Sequence, residues 1–301
     1  MDVDLTATTP TMGQSARTRA AISPMAWLGV APFLVFAFLF LLWPTTTLVV
    51  GAFQNAQGEF TLDNLASLTQ PSILNAYWLS IRISAASALL GGVMGFALAY
   101  AAVSGGLPRW IRPTLTTFSG VASNFAGVPL AFAFIATLGR TGLVTTLLVQ
   151  LFDFNLYHTG FTILSFWGLT ITYLYFQIPL MVLILTPALD GLKKEWREAA
   201  SILGASSLQY WLRVAIPILW PSLLGAVLLL FANAFGAVAT AYALTGSSLN
   251  IVPILLFAQI RGDVLHNPNL GYALALGMIV ITALSNLAYI WLRTWSERWV
   301  K

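Results

Sequence analysis

Side chains able to do covalent chemistry are scarce in this sequence. It holds no cysteine and two histidines, which excludes thiolate chemistry and disulfides and leaves a metal site little to draw on. The acid–histidine pairs close in sequence are Asp153 with His158 and Asp263 with His266, each followed within two residues by glycine or proline. Such a setting reads as irregular loop rather than a helix face presenting a catalytic dyad. There is no Gly-x-x-x-x-Gly-Lys-Ser/Thr phosphate-binding loop, so the chain itself is not expected to hydrolyse ATP. What remains is a set of neutral polar residues placed inside apolar runs. Thr170, Tyr173 and Gln177 share one helical face, Asn233, Ala237 and Thr240 share another, and Ser119, Ser123 and Asn124 fall in a third run. In lipid such groups either bond a neighbouring helix or face a water-filled path. Gln177 and Asn233 are the foremost path candidates, with Tyr173, Thr170, Asn124 and Thr240 beside them. No acidic residue lies inside any apolar run, which argues against a carrier driven by protons or sodium.

The elements that must position these residues are membrane helices. Of 301 residues, 58% are hydrophobic and 8% charged, against about 25% charged in a soluble domain, and the mean hydropathy is +0.82. A soluble fold would lack the polar surface to cover itself, whereas lipid accepts apolar side chains facing outward. A crossing helix needs ~20 apolar residues, and six runs qualify, at about 25–51, 77–104, 113–138, 161–188, 217–244 and 271–293. The first is too long for a signal peptide and carries Trp43 and Pro44 where a cleavage site would stand, so it reads as an uncleaved anchor. Two shorter apolar pieces, 142–152 and 249–260, read as interfacial or re-entrant helices on the outer side. Residues 1–24 form a polar tail ahead of one membrane domain spanning 25–301.

Positive charge sets the orientation. With the N-terminus inside, the cytoplasmic segments hold Arg17, Arg19, Arg109, Arg112, Lys193, Lys194, Arg197, Arg213, Arg293, Arg298 and Lys301, while the outer loops hold Arg140 and Arg261. That bias predicts six spans with both termini cytoplasmic. Arg82, inside the second run, reaches the outer interface by snorkelling. The net charge of +4 is accounted for by this asymmetry and calls for no nucleic-acid partner.

The longest cytoplasmic loop, 189–216, has a pattern of its own. Trp196, Ala199, Ala200 and Leu203 recur at helical spacing, Gly204 stands where a helix C-cap takes positive φ, Ser206 or Ser207 can cap a second helix, and Pro217 opens the fifth run. A lipid-facing stripe favours large residues. The paired alanines instead shave the surface so that another protein can approach closely.

Here the sequence resembles a family. Glu198-Ala199-Ala200, three residues, Gly204, nine residues, then Val214, any residue, Ile216 and Pro217 is similar to the EAA signature of permeases in binding-protein-dependent ABC importers, with Val214 and Ile216 in place of the usual Ile and Leu. The likeness extends more loosely over about 75–295 as five spans in matching order. It implies an all-α integral membrane protein with the type I permease fold, in a bacterial inner (plasma) membrane. The loop would be a coupling helix docked on a separate ATPase, and the partners a dimer of that ATPase, a second and different permease chain, and a periplasmic or extracellular solute-binding protein. ATP and Mg would belong to the ATPase; no catalytic residue, metal or cofactor is expected on this chain, and Asp153, His158, Asp263 and His266 would be loop residues that contact a docked binding protein. The stretch Ala241–Pro253, with Gln259–Asp263 and Asn267–Gly271, resembles permeases of the spermidine/putrescine type. That group also takes in permeases for aminoethylphosphonate, iron and thiamine, so polyamine import is the expectation and those solutes are its alternatives.

Overall fold

The computed structural model describes residues 24–261 and 267–297, and apart from a single antiparallel bridge between Gln54 and Phe60 the regular structure among them is helical. The tail expected over 1–24 lies, but for Pro24, outside the described residues, as do Asp263, His266, Arg298 and Lys301. The chain divides into two units, one reaching Thr47 and one beginning at Leu48. From the first, α1 (Pro24–Ala37) passes through a π-helical turn at Phe38–Leu42 into α2 (Trp43–Ala52), within which the division between the units falls. Within that turn the Trp43 N–H donates to the Phe38 carbonyl, five residues back, just ahead of Pro44. Six helices are long and apolar enough to cross a membrane: Gly29–Ala52, Pro71–Ser104, Val128–Phe152, Phe166–Asp190, Ser207–Phe235 and Pro268–Leu292.

In the second unit, α3 (Asp63–Ser67) precedes α4 (Pro71–Ser104), which opens on a proline at its first position, where the missing N–H costs nothing. Ala76, Ser80, Ser84, Ala88, Gly91, Gly95 and Ala99 lie buried along α4 at three- to four-residue intervals, a continuous strip of small side chains. Against it lies α8 (Phe166–Asp190), started by the Ser165 hydroxyl accepting from the Gly168 N–H at 3.3 Å and unbroken through Pro179 and Pro187. A Cβ at Gly91 would stand 2.7 Å from the Gln177 Cβ, and one at Gly95 would stand 2.5 Å from the Met181 Cβ and 2.7 Å from the Ile178 carbonyl oxygen. The two backbones meet because α4 has nothing there to keep them apart. Arg82 leaves the seam exposed, its guanidinium 5.5 Å from the centre of the Phe166 ring.

The third expected run is not one helix. It divides into α5 (Ile111–Ala122) and α6 (Val128–Leu138), and α7 (Leu143–Phe152) follows after Gly139 and Gly142. Length and hydropathy place the third candidate crossing at Val128–Phe152 rather than 113–138, so the piece 142–152 joins a crossing instead of standing alone. The loop supplies α9 (Lys194–Ile202) and α10 (Ser207–Tyr210); α10 runs through a π-helical turn, Trp211–Ala215, into α11 (Ile216–Phe235). The fifth long helix therefore starts at Ser207, ten residues ahead of the expected 217, and stops at Phe235 rather than 244. The reason lies at Pro217, which cannot donate and whose ring crowds the carbonyl four residues back. The π-turn shifts the pairing so that the Ile216 N–H donates to the Trp211 carbonyl, and the helix continues instead of starting afresh.

After α11 come α12 (Val238–Thr245), α13 (Val252–Arg261) and α14 (Pro268–Glu297). At ten residues, α13 is about 15 Å long, half a crossing. It packs on α14, α4 and α12. One end of α8 packs into a core with Ile83, Leu130, Phe176 and Leu244, the other into a core with Met181, Leu185, Leu219 and Leu230. On the far side of α11, a Cβ at Gly225 would stand 2.6 Å from the Tyr289 ring of α14.

Gly95→Val forces α4 off α8 and is expected to destabilise by about 1–3 kcal/mol, read as a lower Tm in detergent. Gly120→Ala, where nothing lies within 4 Å of the new methyl, is expected to hold or raise it. Equal melting of the Gly95 variant and the parent would show that the seam does not set stability.

Candidate functional site

Two helix breaks face each other across the bundle. At the first, α5 ends in a loose turn and Gly127 takes φ 78° and ψ −149°, a conformation open to glycine and costly for other residues. At the second, the Val238 N–H donates to the Gly236 carbonyl at 2.8 Å around Ala237, whose φ −78° and ψ 57° make an inverse γ-turn. The Tyr173 hydroxyl, buried on α8, donates to the Ala237 carbonyl at 3.1 Å and fixes that turn. The Gly127 N–H donates to the Thr240 hydroxyl oxygen at 2.6 Å, joining break to break.

Between them lies a cavity of about 380 Å³ lined by Ser123, Gly127, Phe176, Asn233, Ala237 and Thr240 among others, none of the lining residues charged. It sits near the middle of α8, beside Phe176. Both α6 and α12 begin at its wall, with Gly127 ahead of the one and Ala237–Thr240 opening the other. The first-turn N–H groups of a helix have no partner within it, and their end carries roughly half a positive charge. Because α5 and α11 end at the same wall, at Ala122 and Phe235, helix ends of both signs meet at a cavity without charged side chains.

Of the polar residues singled out by sequence, Ser123, Asn233 and Thr240 line this cavity and Tyr173 braces its wall. Gln177 does not reach it. It is fully buried in the α4 seam, where its Nε2 donates to the Leu230 carbonyl of α11 at 2.9 Å and its Oε1 has no protein partner. Thr170 is buried with its hydroxyl on the Phe166 carbonyl at 2.8 Å, one turn back in its own helix. Asn124 is exposed at the end of α5, its amide on the Gly120 carbonyl at 2.9 Å. Gly127, Gly236 and Ala237 escaped the reading by side-chain polarity because their contribution is backbone. The signal was a glycine interrupting each of two apolar runs, a pattern that marks binding sites between broken membrane helices.

At one end of the bundle the loop is a helix–turn–helix of defined geometry. Gly204 takes φ 78°, the Ala205 N–H donates to the Ala200 carbonyl at 2.9 Å, and the Gly204 N–H donates to the Ser201 carbonyl at 3.0 Å. These two bonds are a Schellman closure of α9. Ser206 caps the next helix, with its hydroxyl accepting from the Gln209 N–H at 3.2 Å and its own N–H donating to the Gln209 Oε1 at 2.8 Å. Glu198 and Ala199 are exposed, Trp196 and Ala200 half-buried. The turn leaves Ile202 and Leu203 bare, 85% and 86% exposed. Two large aliphatic side chains are thus held out by a rigid turn. Val214 and Ile216 are half-buried and Pro217 exposed on the continuous helix beyond.

Residues 91–301, taking in the cavity and the loop, match the family model of the binding-protein-dependent transport system inner membrane component. The chain belongs to that family. The permease is 30% identical over 246 residues to PhnU of Salmonella typhimurium, named for a 2-aminoethylphosphonate transport system, covering 79% of this chain and 82% of that one. It is 24% identical over 246 residues to the sulfate transport system permease protein CysT of Salmonella typhimurium, covering 80% and 83% of the two chains. With the molybdenum transport system permease protein ModB of Mycobacterium tuberculosis the identity is 27% over 224 residues, covering 73% and 79%. In fold the permease matches a chain of a bacterial ABC transporter involved in import of the acidic polysaccharide alginate, with TM-score 0.67 over 92% of this chain and 96% of that one at 16% identity. It is a multi-pass transport subunit, not an enzyme.

At Gly204 of the permease any side chain but glycine meets a strained φ, at a cost of roughly 1–2 kcal/mol. Gly204→Val should therefore speed hydrogen exchange at the Gly204 and Ala205 amides while leaving α8 protection unchanged. Unaltered exchange at both amides would mean the closure does not hold the turn.

Proposed function

We propose that the permease forms, with a second permease chain, the route by which an ATP-driven importer of a bacterial inner membrane brings a small oxyanion into the cell, with phosphonates of the aminoethylphosphonate kind as the first class to test. The observation that carries this reading is the uncharged cavity at which two helices begin. A tetrahedral oxyanion can lie against the N–H groups of α6 and α12 with Ser123, Asn233 and Thr240 as neutral donors around it. A polyamine would call for carboxylates at the same place, and none lines this cavity. The relatives named for aminoethylphosphonate, sulfate and molybdenum transport support the aminoethylphosphonate alternative ahead of the polyamine expectation.

In this reading both termini and α9 are cytoplasmic, a solute-binding protein delivers the anion on the other side, and an ATPase dimer grips the bare Ile202–Leu203 turn. Glu198, Ala199, Ala200 and Trp196 shape the helix that docks, and Gly204 fixes its exit. The coupling is mechanical. The helix from Ser207 to Phe235 is 29 residues, about 43 Å, and runs from that turn to the wall of the cavity at Gly236. A shift imposed on the loop by ATPase closure therefore arrives at Asn233 and the Ala237 turn through one rod, via Val214, Ile216 and Pro217. No metal or cofactor on this chain enters the cycle; ATP and Mg act on the ATPase.

Glu198→Lys and Gly204→Asp should abolish ATP-driven uptake in reconstituted vesicles while the protein still inserts; normal uptake by both sinks the coupling role. Asn233→Asp places a like charge beside the anion and should lower uptake of labelled 2-aminoethylphosphonate at least ~10-fold, since a nearby charge in a partly dry site is worth more than 1.4 kcal/mol. Uptake unchanged by Asn233→Asp, or labelled putrescine carried in preference to the phosphonate, would reject the oxyanion route.

A further inference from the structure

Where α4 and α8 end beside α9, a second cavity of about 520 Å³ opens, and neither the solute route nor the bare Ile202–Leu203 turn uses it. Its wall holds Arg112, Lys193, Lys194 and Arg197 against one carboxylate, Asp190, which is already ion-paired with Arg112. Lys193 stands 5.8 Å from the centre of the Trp196 ring, and Lys194 and Arg197 form no ion pair among the described residues. The other side of the cavity is aromatic, with Tyr100 and Trp211 edge to face at 4.8 Å between ring centres and Tyr210 beside them. Cations over a roomy hollow, backed by amphipathic rings at the level where spans leave the hydrocarbon, are the chemistry that receives a phosphodiester attached to acyl chains.

We propose that this cavity binds the phosphate headgroup of an anionic phospholipid, with Lys193, Lys194 and Arg197 on the phosphate and Tyr100 and Trp211 against the glycerol and first methylenes. The site rests on the membrane placement of α4 and α8 and holds whichever solute the permease carries. It also gives α9 a second attachment. The Ile202–Leu203 end is left for the ATPase, while the basic end, five to nine residues back, is held to the bilayer surface. A loop tethered at its basic end transmits force from its tip instead of swinging freely.

A free oxyanion in the cytoplasm shares the headgroup's chemistry, so the test separates the two. The full-length permease in detergent is given equal dioleoyl-phosphatidylglycerol and dioleoyl-phosphatidylcholine, and the lipid retained is read by native mass spectrometry; a parallel arm offers inorganic phosphate alone. Retention of phosphatidylglycerol over phosphatidylcholine is expected, falling at least ~10-fold in K193Q/K194Q/R197Q, since each surface cation near anionic lipid contributes a several-fold preference. The charge-keeping K193R/K194R should retain it, and the single R197Q, with a several-fold loss, keeps the test readable if the triple variant aggregates. Equal retention of both lipids, or a preference untouched by these variants, overturns the site. Saturable phosphate binding without any phosphatidylglycerol preference gives the cavity to a free anion and overturns the lipid.

Discussion

Lipid gives two helices no hydrophobic gain for meeting, so a membrane bundle holds together only where backbones can come close enough for dispersion and hydrogen bonds to act. In this permease that condition is met along α4, whose small side chains from Ala76 to Ala99 let α8 lie directly on it. Much else follows from that contact. It seats Gln177 where it can bond the Leu230 carbonyl and so attach α11 as a third member. It also fixes the roll of α8, which turns Tyr173 toward the Ala237 carbonyl and Phe176 toward the cavity. A methyl group added at Gly91 or Gly95 would act on the seam first and on the cavity through it.

The sequence was informative where spacing and composition are what the physics responds to. Apolar length marked six crossings, and the fixed intervals from Glu198 to Pro217 marked a loop whose helix, glycine closure and serine cap all have counterparts in the structure. It was poor at the breaks, because hydropathy records how greasy a residue is and not which way its backbone turns. Residues 113–138 are apolar enough to read as one helix, yet Gly127 interrupts it there. Pro217 read as a start because proline usually opens helices, and a π-turn upstream removed the need for one. Gln177 shows the limit of polarity as a guide. A buried amide in lipid needs a partner, and this one finds it on the carbonyl of a neighbouring helix.

Charge is disposed at two levels of the molecule, by different means. At the α9 end it is carried by side chains, where water and lipid headgroups solvate them. In the central cavity, where a buried ion would be costly, polarity comes from helix ends and neutral side chains. Partial charges of that kind hold a polar solute loosely enough to let it leave, which a carrier requires and a binding protein does not.

The hydrogen bond between Gly127 and Thr240 ties the two broken helices across the cavity. A single such bond contributes about 1 kcal/mol net, a bias of roughly fivefold between the joined and parted arrangements. By itself this contact is a light latch. A light latch yields to modest forces, so whatever moves either break has no deep well to overcome at this point.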